Sequence, residues 1–235
     1  MAEDLLGVGF EIHGGGNDLA FPHHENEAAQ TRRAHDAELA QIWMHNGMLQ
    51  MGEEKMAKSV GNVASLHAVL DEWGREALLM FFAGGHYRQP IAFDDDSMRA
   101  ATGRVAGIRE TARRLVDGPS PPDMAVHREA FFDALADDFN TALALRHLAA
   151  WTSEANKRSG VGREDLEEML GVLGLEDLAM VEEVAIGAEE QDLLDRRQAA
   201  RAARDFAEAD RLRDELRSRG YEVRDGPAGP ELVPA

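Results

Sequence analysis

Cysteine is missing from all 235 residues of the chain. Disulfides are therefore excluded, and so is any zinc site built only from this chain's thiolates. Long apolar runs are missing too. The longest, roughly Ala77 to Ala83, falls far short of the ~20 residues that span a bilayer. The N-terminus, MAEDLLG, is acidic and lacks the basic stretch that opens a secretory signal. A cytoplasmic location and no membrane partner are the expectations. Lysine is scarce: Lys55, Lys58 and Lys157 stand against 22 arginines. Positive charge is short overall, with a formal net charge of -19. On average this argues against nucleic acid, whose phosphates call for Lys and Arg. An average does not exclude a local basic face.

What is present suits a folded protein. Hydrophobic residues make up 44% of the chain, enough for a real core. The length allows one large domain or two smaller ones. A short helix or turn opens the chain, followed by an apolar strand, VGFEI, and a loop, HGGGND. Pro22 suits the first position of a helix that ends near His35. QIWMHNGMLQM reads as a strand broken at Asn46-Gly47. A polar loop, GEEKMAKSVGN, follows. Ser65 caps a helix that stops at Gly74, and REALLMFFA is a second helix ending at Gly84-Gly85. A long helix is expected from about Asp96 to Val116. DGPSPPD, residues 117 to 123, is the clearest linker. Helical spacing continues from Met124 to about Leu178, with Phe131, Leu135, Leu143, Leu145 and Leu148 on the apolar face. A last long helix, Glu190 to Arg219, ends at Gly220 before a strand pair, YEVRDGPAGPELV. The first piece, about 95 residues, is short for a complete α/β nucleotide domain.

Three stretches carry chemistry. PHHENE places His23 and Glu27 four apart, on one face of a helix, where both suit Zn²⁺. A solvated polar helix start, with His24 and Glu25 exposed, explains the same spacing equally well. Two ligands do not complete a site, and His13 is a candidate neighbour. EKMAKS sets two ammonium groups within four residues, suited to nucleotide phosphates. Chance clustering and a solvated loop are the alternative, and the P-loop pattern is absent. Residues 196 to 219 hold eight arginines against five acids. Such a helix binds phosphate backbone or is laced with its own ion pairs, and without context the second is the better reading.

Together these stretches resemble one family, the class I cysteinyl-tRNA synthetases. FEIHGGGNDLAFPHHENEAAQ resembles its zinc-helix segment. WMHNGMLQMGEEKMAKSVGN resembles the segment with its Lys-Met-Ser-Lys-Ser signature. AGGHYRQPIAFDDD, ALADDFNTALAL and ARAARDFAEADRLRDELRSRGYEVRDGPAG resemble the regions that follow, in the family's order. The resemblance implies α/β plus all-α architecture: the C-terminal half of a Rossmann-like class I catalytic domain (1–98), a helical bundle (99–186) and a small helix-hairpin tail (187–235). It implies ATP-dependent activation of cysteine to an adenylate and transfer to tRNA(Cys), with Mg accompanying ATP. It makes His23 and Glu27 zinc ligands beside two cysteines, in a site that selects the substrate thiolate because zinc prefers sulfur. Lys55 and Lys58 match the signature lysines, Lys58 contacting ATP. His13 and Asp18 match pocket residues near the amino acid. Ala57 replaces the usual serine.

The departures are larger than Ala57. The family's two zinc cysteines and its His-x-Gly-His motif have no counterpart here. The resemblance thus implies a truncated form, inactive alone and partnered by a separate N-terminal half. A relative that joins cysteine to an aminosugar-inositol shares the nucleotide domain but needs no anticodon-binding tail, so the Arg-rich tail favours tRNA. A non-catalytic tRNA-binding module is the third reading.

Overall fold

The computed structural model describes residues 2–51, 54–55, 65–180, 187–226 and 229–234. The described chain forms two compact units, Met1–Val181 and Glu182–Ala235.

In the first unit, helix α1 (Ala2–Leu6) precedes strand β1 (Phe10–Gly16). The strand runs on through the three glycines that the sequence suggests as a loop. Parallel pairing with β2 (Ala40–Asn46) satisfies their backbone groups, from Phe10↔Ala40 to Gly16↔Asn46. Between the strands lies α2 (Glu25–His35). The backbone is already helical from Pro22, as the proline predicts, after Phe21, which is extended at φ -135° and ψ 134°. The helix ends at Asp36 in the left-handed conformation, φ 53°.

The strand break at Asn46-Gly47 separates β2 from β3 (Leu49–Met51). It is no hairpin, because β3 pairs instead with β4 (Glu54–Lys55, antiparallel) and β5 (Ile91–Ala92, parallel). The Gly47 N–H donates to the Tyr87 carbonyl at 2.7 Å. A β-carbon at Gly47 would collide with the backbone of Gln89 and Pro90, so this close approach requires glycine.

Helices α3 (Leu66–Trp73) and α4 (Arg75–Ala83) meet at Gly74, φ 80°, as the glycine predicts. Ser65 stands at the cap of α3 without a side-chain bond. Helix α5 (Asp95–Ala112) has a reciprocal capping box: Asp94 accepts from the Ser97 N–H, and the Ser97 hydroxyl accepts from the Asp94 N–H. Helices α6 (Ala125–Ala136), α7 (Thr141–Ala155) and α8 (Glu164–Val172) complete the unit. Residues 117–123 are stitched to the loop before α8 by Glu164 N–H to the Gly118 carbonyl and Ser120 Oγ to the Gly162 carbonyl. One core runs through all these helices, with Met80, Met98, Phe131, Leu148, Trp151 and Met169 fully buried. Leu135, Leu143 and Leu145 are half-buried against it.

The second unit differs from the single long helix expected of its sequence. It forms α9 (Ala188–Ala202) and α10 (Phe206–Ser218), broken at Arg204, φ 61°. The Asp205 carboxylate accepts from the Glu208 N–H and so caps α10. The break folds Leu193 and Leu194 against Leu212 and Leu216. Strands β6 (Tyr221–Gly226) and β7 (Gly229–Pro234) form the expected hairpin, and Leu232 joins this small core.

Candidate functional site

The two parallel strands set the site. Period-two alternation puts His13 and Gly15 on one face of β1, and Trp43 and His45 on one face of β2. The register aligns them, His13↔Trp43 and Gly15↔His45. The turn entering α2 then drops His24 onto this face. Its ring packs edge-on against His13 (centroids 4.6 Å apart) and tilts against Trp43 (5.3 Å) and His45 (5.0 Å). His24 Nδ1 lies 2.9 Å from His45 Nε2, one of the two carrying the shared proton. Glycine is what admits this ring: a β-carbon at Gly15 would stand 2.7 Å from His24 Cε1.

Glu27, one turn into α2, reaches back to the same point. Its Oε2 lies 3.2 Å from His13 Nε2. One ligating atom each from His13, His24 and Glu27 fall within 4.8 Å of one another. His24 is buried, at 6% exposure, and Glu27 is solvent-accessible. Burial lowers the His24 pKa, with the neighbouring His13 adding to the effect, so the neutral, metal-competent imidazole is favoured.

Of the residues singled out by sequence, His13 and Glu27 come together here. His23 is exposed on the turn and is not part of the trio. The expectation of a helix start with His24 exposed is corrected: His24 is the buried one. Asp18 lies on the turn after β1, its Oδ1 folded over Gly16, 2.5 Å from where a β-carbon would sit. Lys55 lies in β4, paired with Gln50 through the backbone. Lys58 lies outside the described residues. Sequence reasoning missed Trp43 and His45. Their alternation in a strand was the available signal, but only the register with β1 turns it into a site.

The site stands at the carboxyl ends of two parallel strands, where open α/β sheets place their ligands. Residues 1–103 match the family described as tRNA synthetases class I (C) catalytic domain. The chain superposes on an Agrobacterium radiobacter K84 LeuRS with a TM-score of 0.56 at 17% identity, covering 74% of this chain and 28% of that one, a likeness of fold alone. Residues 1–103 thus group with the catalytic domains of class I aminoacyl-tRNA synthetases. Residues 130–176 match the DALR domain, and residues 184–229 match the Cysteinyl-tRNA ligase anticodon binding domain. The Cysteine–tRNA ligase of Halorhodospira halophila is 41% identical over 243 residues, 97% of this chain and 52% of the relative. Those of Alkalilimnicola ehrlichii and Parvibaculum lavamentivorans are 41% and 39% identical over the same 97% of this chain, and 53% and 52% of their own lengths. The chain belongs to the cysteine–tRNA ligase family, and it spans about half the length of the relatives it matches.

Proposed function

We propose that this chain serves cysteine–tRNA ligation: ATP-dependent formation of cysteinyl-adenylate, followed by transfer to tRNA(Cys). The observation that carries this reading is the convergence of His13, His24 and Glu27 at the strand ends. Three such donors are the usual protein complement of a zinc with an open position. The two cysteines that the resemblance adds are not in this chain. Bound there, zinc supplies a soft Lewis acid able to take the substrate thiolate.

The chain's own residues do the rest. Glu27 places a carboxylate beside His13, offsetting the charge of a bound cation. His45 fixes the orientation of the His24 ring through their shared proton. Trp43 and His13 close one side of the pocket with their rings. By resemblance, Asp18 supplies a carboxylate suited to a substrate ammonium. Lys58, with Lys55, holds the ATP phosphates, and Mg accompanies the nucleotide. The second unit meets the tRNA. The match of residues 184–229 to an anticodon-binding domain supports tRNA over an aminosugar acceptor.

The remaining sheet and ligands come from outside these 235 residues. Parallel sheets are ordinarily covered on both faces. Here Ile12 and Ile42, paired across β1 and β2, are 51% and 53% exposed on one face.

ATP–pyrophosphate exchange with cysteine, with and without Zn²⁺, tests this. No exchange by the 235-residue chain, restored by a polypeptide spanning the first half of a relative, is the expected result. Robust exchange by the chain alone overturns the need for a partner. No exchange in either case, with tRNA binding retained, leaves a tRNA-binding module.

A further inference from the structure

Helices α5 and α7 lie side by side but do not close. Small residues face each other along the gap, Gly107 on α5 and Ala142 and Ala149 on α7. The result is an open groove of 540 Å³ with α4 at its edge, within the size range of small-molecule sites. Two hydrogen bonds set its ends. Thr141 Oγ1 donates to the Gly85 carbonyl at one end, and Asn156 Nδ2 donates to Thr111 Oγ1 at the other. The helices therefore run in the same sense, and Arg104 and Arg146 lie toward the Gly84-Gly85 end. Ile108, Leu145 and Leu148 form the apolar middle, and Thr111, Ser153 and Asn156 the polar far end. From Arg104 to Thr111 is seven residues of helix, about 10 Å.

The two arginines stand out electrostatically. In the first unit arginine after arginine is committed to a carboxylate: Arg32, Arg75, Arg88, Arg99, Arg128 and Arg158 all make ion pairs. Arg104 and Arg146 have no acidic partner among the described residues. The exposed Arg104 side chain reaches back over Gly84, its Nη1 3.1 Å from the position of a Gly84 β-carbon. In a chain of net charge -19, two such guanidiniums on one groove are a local anion site.

We propose that this groove binds a small phosphate monoester carried on a flat apolar ring system, with the phosphate between Arg104 and Arg146 and the ring over Ile108 and Leu145. A monoester carries nearly two negative charges at neutral pH, matching two guanidiniums, and arginine's planar fork fits phosphate oxygens in pairs. The apolar middle excludes inorganic phosphate as the full ligand.

Titration calorimetry of the 235-residue chain with 1-naphthyl phosphate, 1-naphthol and inorganic phosphate tests the site. One-to-one binding of naphthyl phosphate, about tenfold tighter than naphthol or phosphate alone, is expected from the charged contacts. The R104Q/R146Q variant lowers it to the naphthol level. Gly107→Leu abolishes it without lowering the thermal midpoint: a β-carbon there meets nothing within 4 Å, and leucine favours helix over glycine. Equal binding of all three probes, binding that survives Gly107→Leu, or no saturable binding overturns the proposal. So does a single-stranded RNA oligonucleotide that binds tighter and is lost in the same two variants, which assigns the groove to RNA.

Discussion

Two residues condense what single side chains do here. Glu27 is the proposed ligand that helix spacing and family resemblance name and that the fold brings beside His13. Glu27→Gln keeps the shape and removes the charge, so zinc affinity, measured by competition against a chromophoric chelator, falls about tenfold or more. His23→Ala and His24→Ala run beside it separate the two adjacent rings. Loss in His24→Ala alone matches the trio, and loss in His23→Ala alone means that the exposed ring turns inward to the metal. Asp138 is the second residue. It accepts from Arg88 Nε at 2.6 Å and from the Tyr87 hydroxyl at 2.8 Å. The Arg88 guanidinium first, then Tyr87, pushes its pKa down to about 2. A carboxylate with a depressed folded-state pKa stabilises above its unfolded value and loses that stabilisation as pH falls through the folded one. Asp138→Asn tolerates the same left-handed backbone, φ 56°. Its thermal midpoint is expected below wild type above pH 4, with the gap narrowing as pH falls toward 2. A gap that stays constant across this range removes Asp138's charge from the account.

Elements carry the clearest lesson about what sequence reveals. Helices α3 and α4 were legible because apolar spacing and glycine stops point the same way, and the spacing marked 124–178 as helical without dividing it into α6, α7 and α8. Two elements were not. Gly14–Gly16 looks like a loop by composition, yet pairing with β2 makes it strand, a decision taken by residues some thirty positions away. The break at Arg204 was hidden within continuous helical composition, and the only local mark was Asp205, a good cap placed before an apolar position. The site divided in the same way. His13 and Glu27 were readable from type and spacing, whereas His24, Trp43 and His45 needed the strand register. The break also yields a prediction. Asp205→Ala removes the cap that fixes the start of α10, at a cost of about 1 kcal/mol, read as a lower urea midpoint of the second unit. An unchanged midpoint means that Leu193, Leu194, Leu212 and Leu216 alone hold the two helices together.

At the scale of the whole molecule, charge is arranged in a particular way. The Arg-rich tail, whose composition favours a helix laced with its own ion pairs, is largely paired within itself. Arg211 holds Glu208 and Glu215, Arg213 holds Asp210, and Arg219 holds Glu189, Glu190 and Glu215. Its positive charge is matched locally, so a distant polyanion meets the excess of acids. Encounter with tRNA, the proposed partner, is therefore a diffusion problem with an uphill approach. Raising salt from about 0.01 M to 0.15 M shortens the screening length from about 30 Å to about 8 Å. Stopped-flow association with tRNA should then speed up over that range, the reverse of ordinary nucleic-acid binders. A rate that falls instead would show that the tail's ion pairs open early, exchanging carboxylates for phosphates before contact is complete.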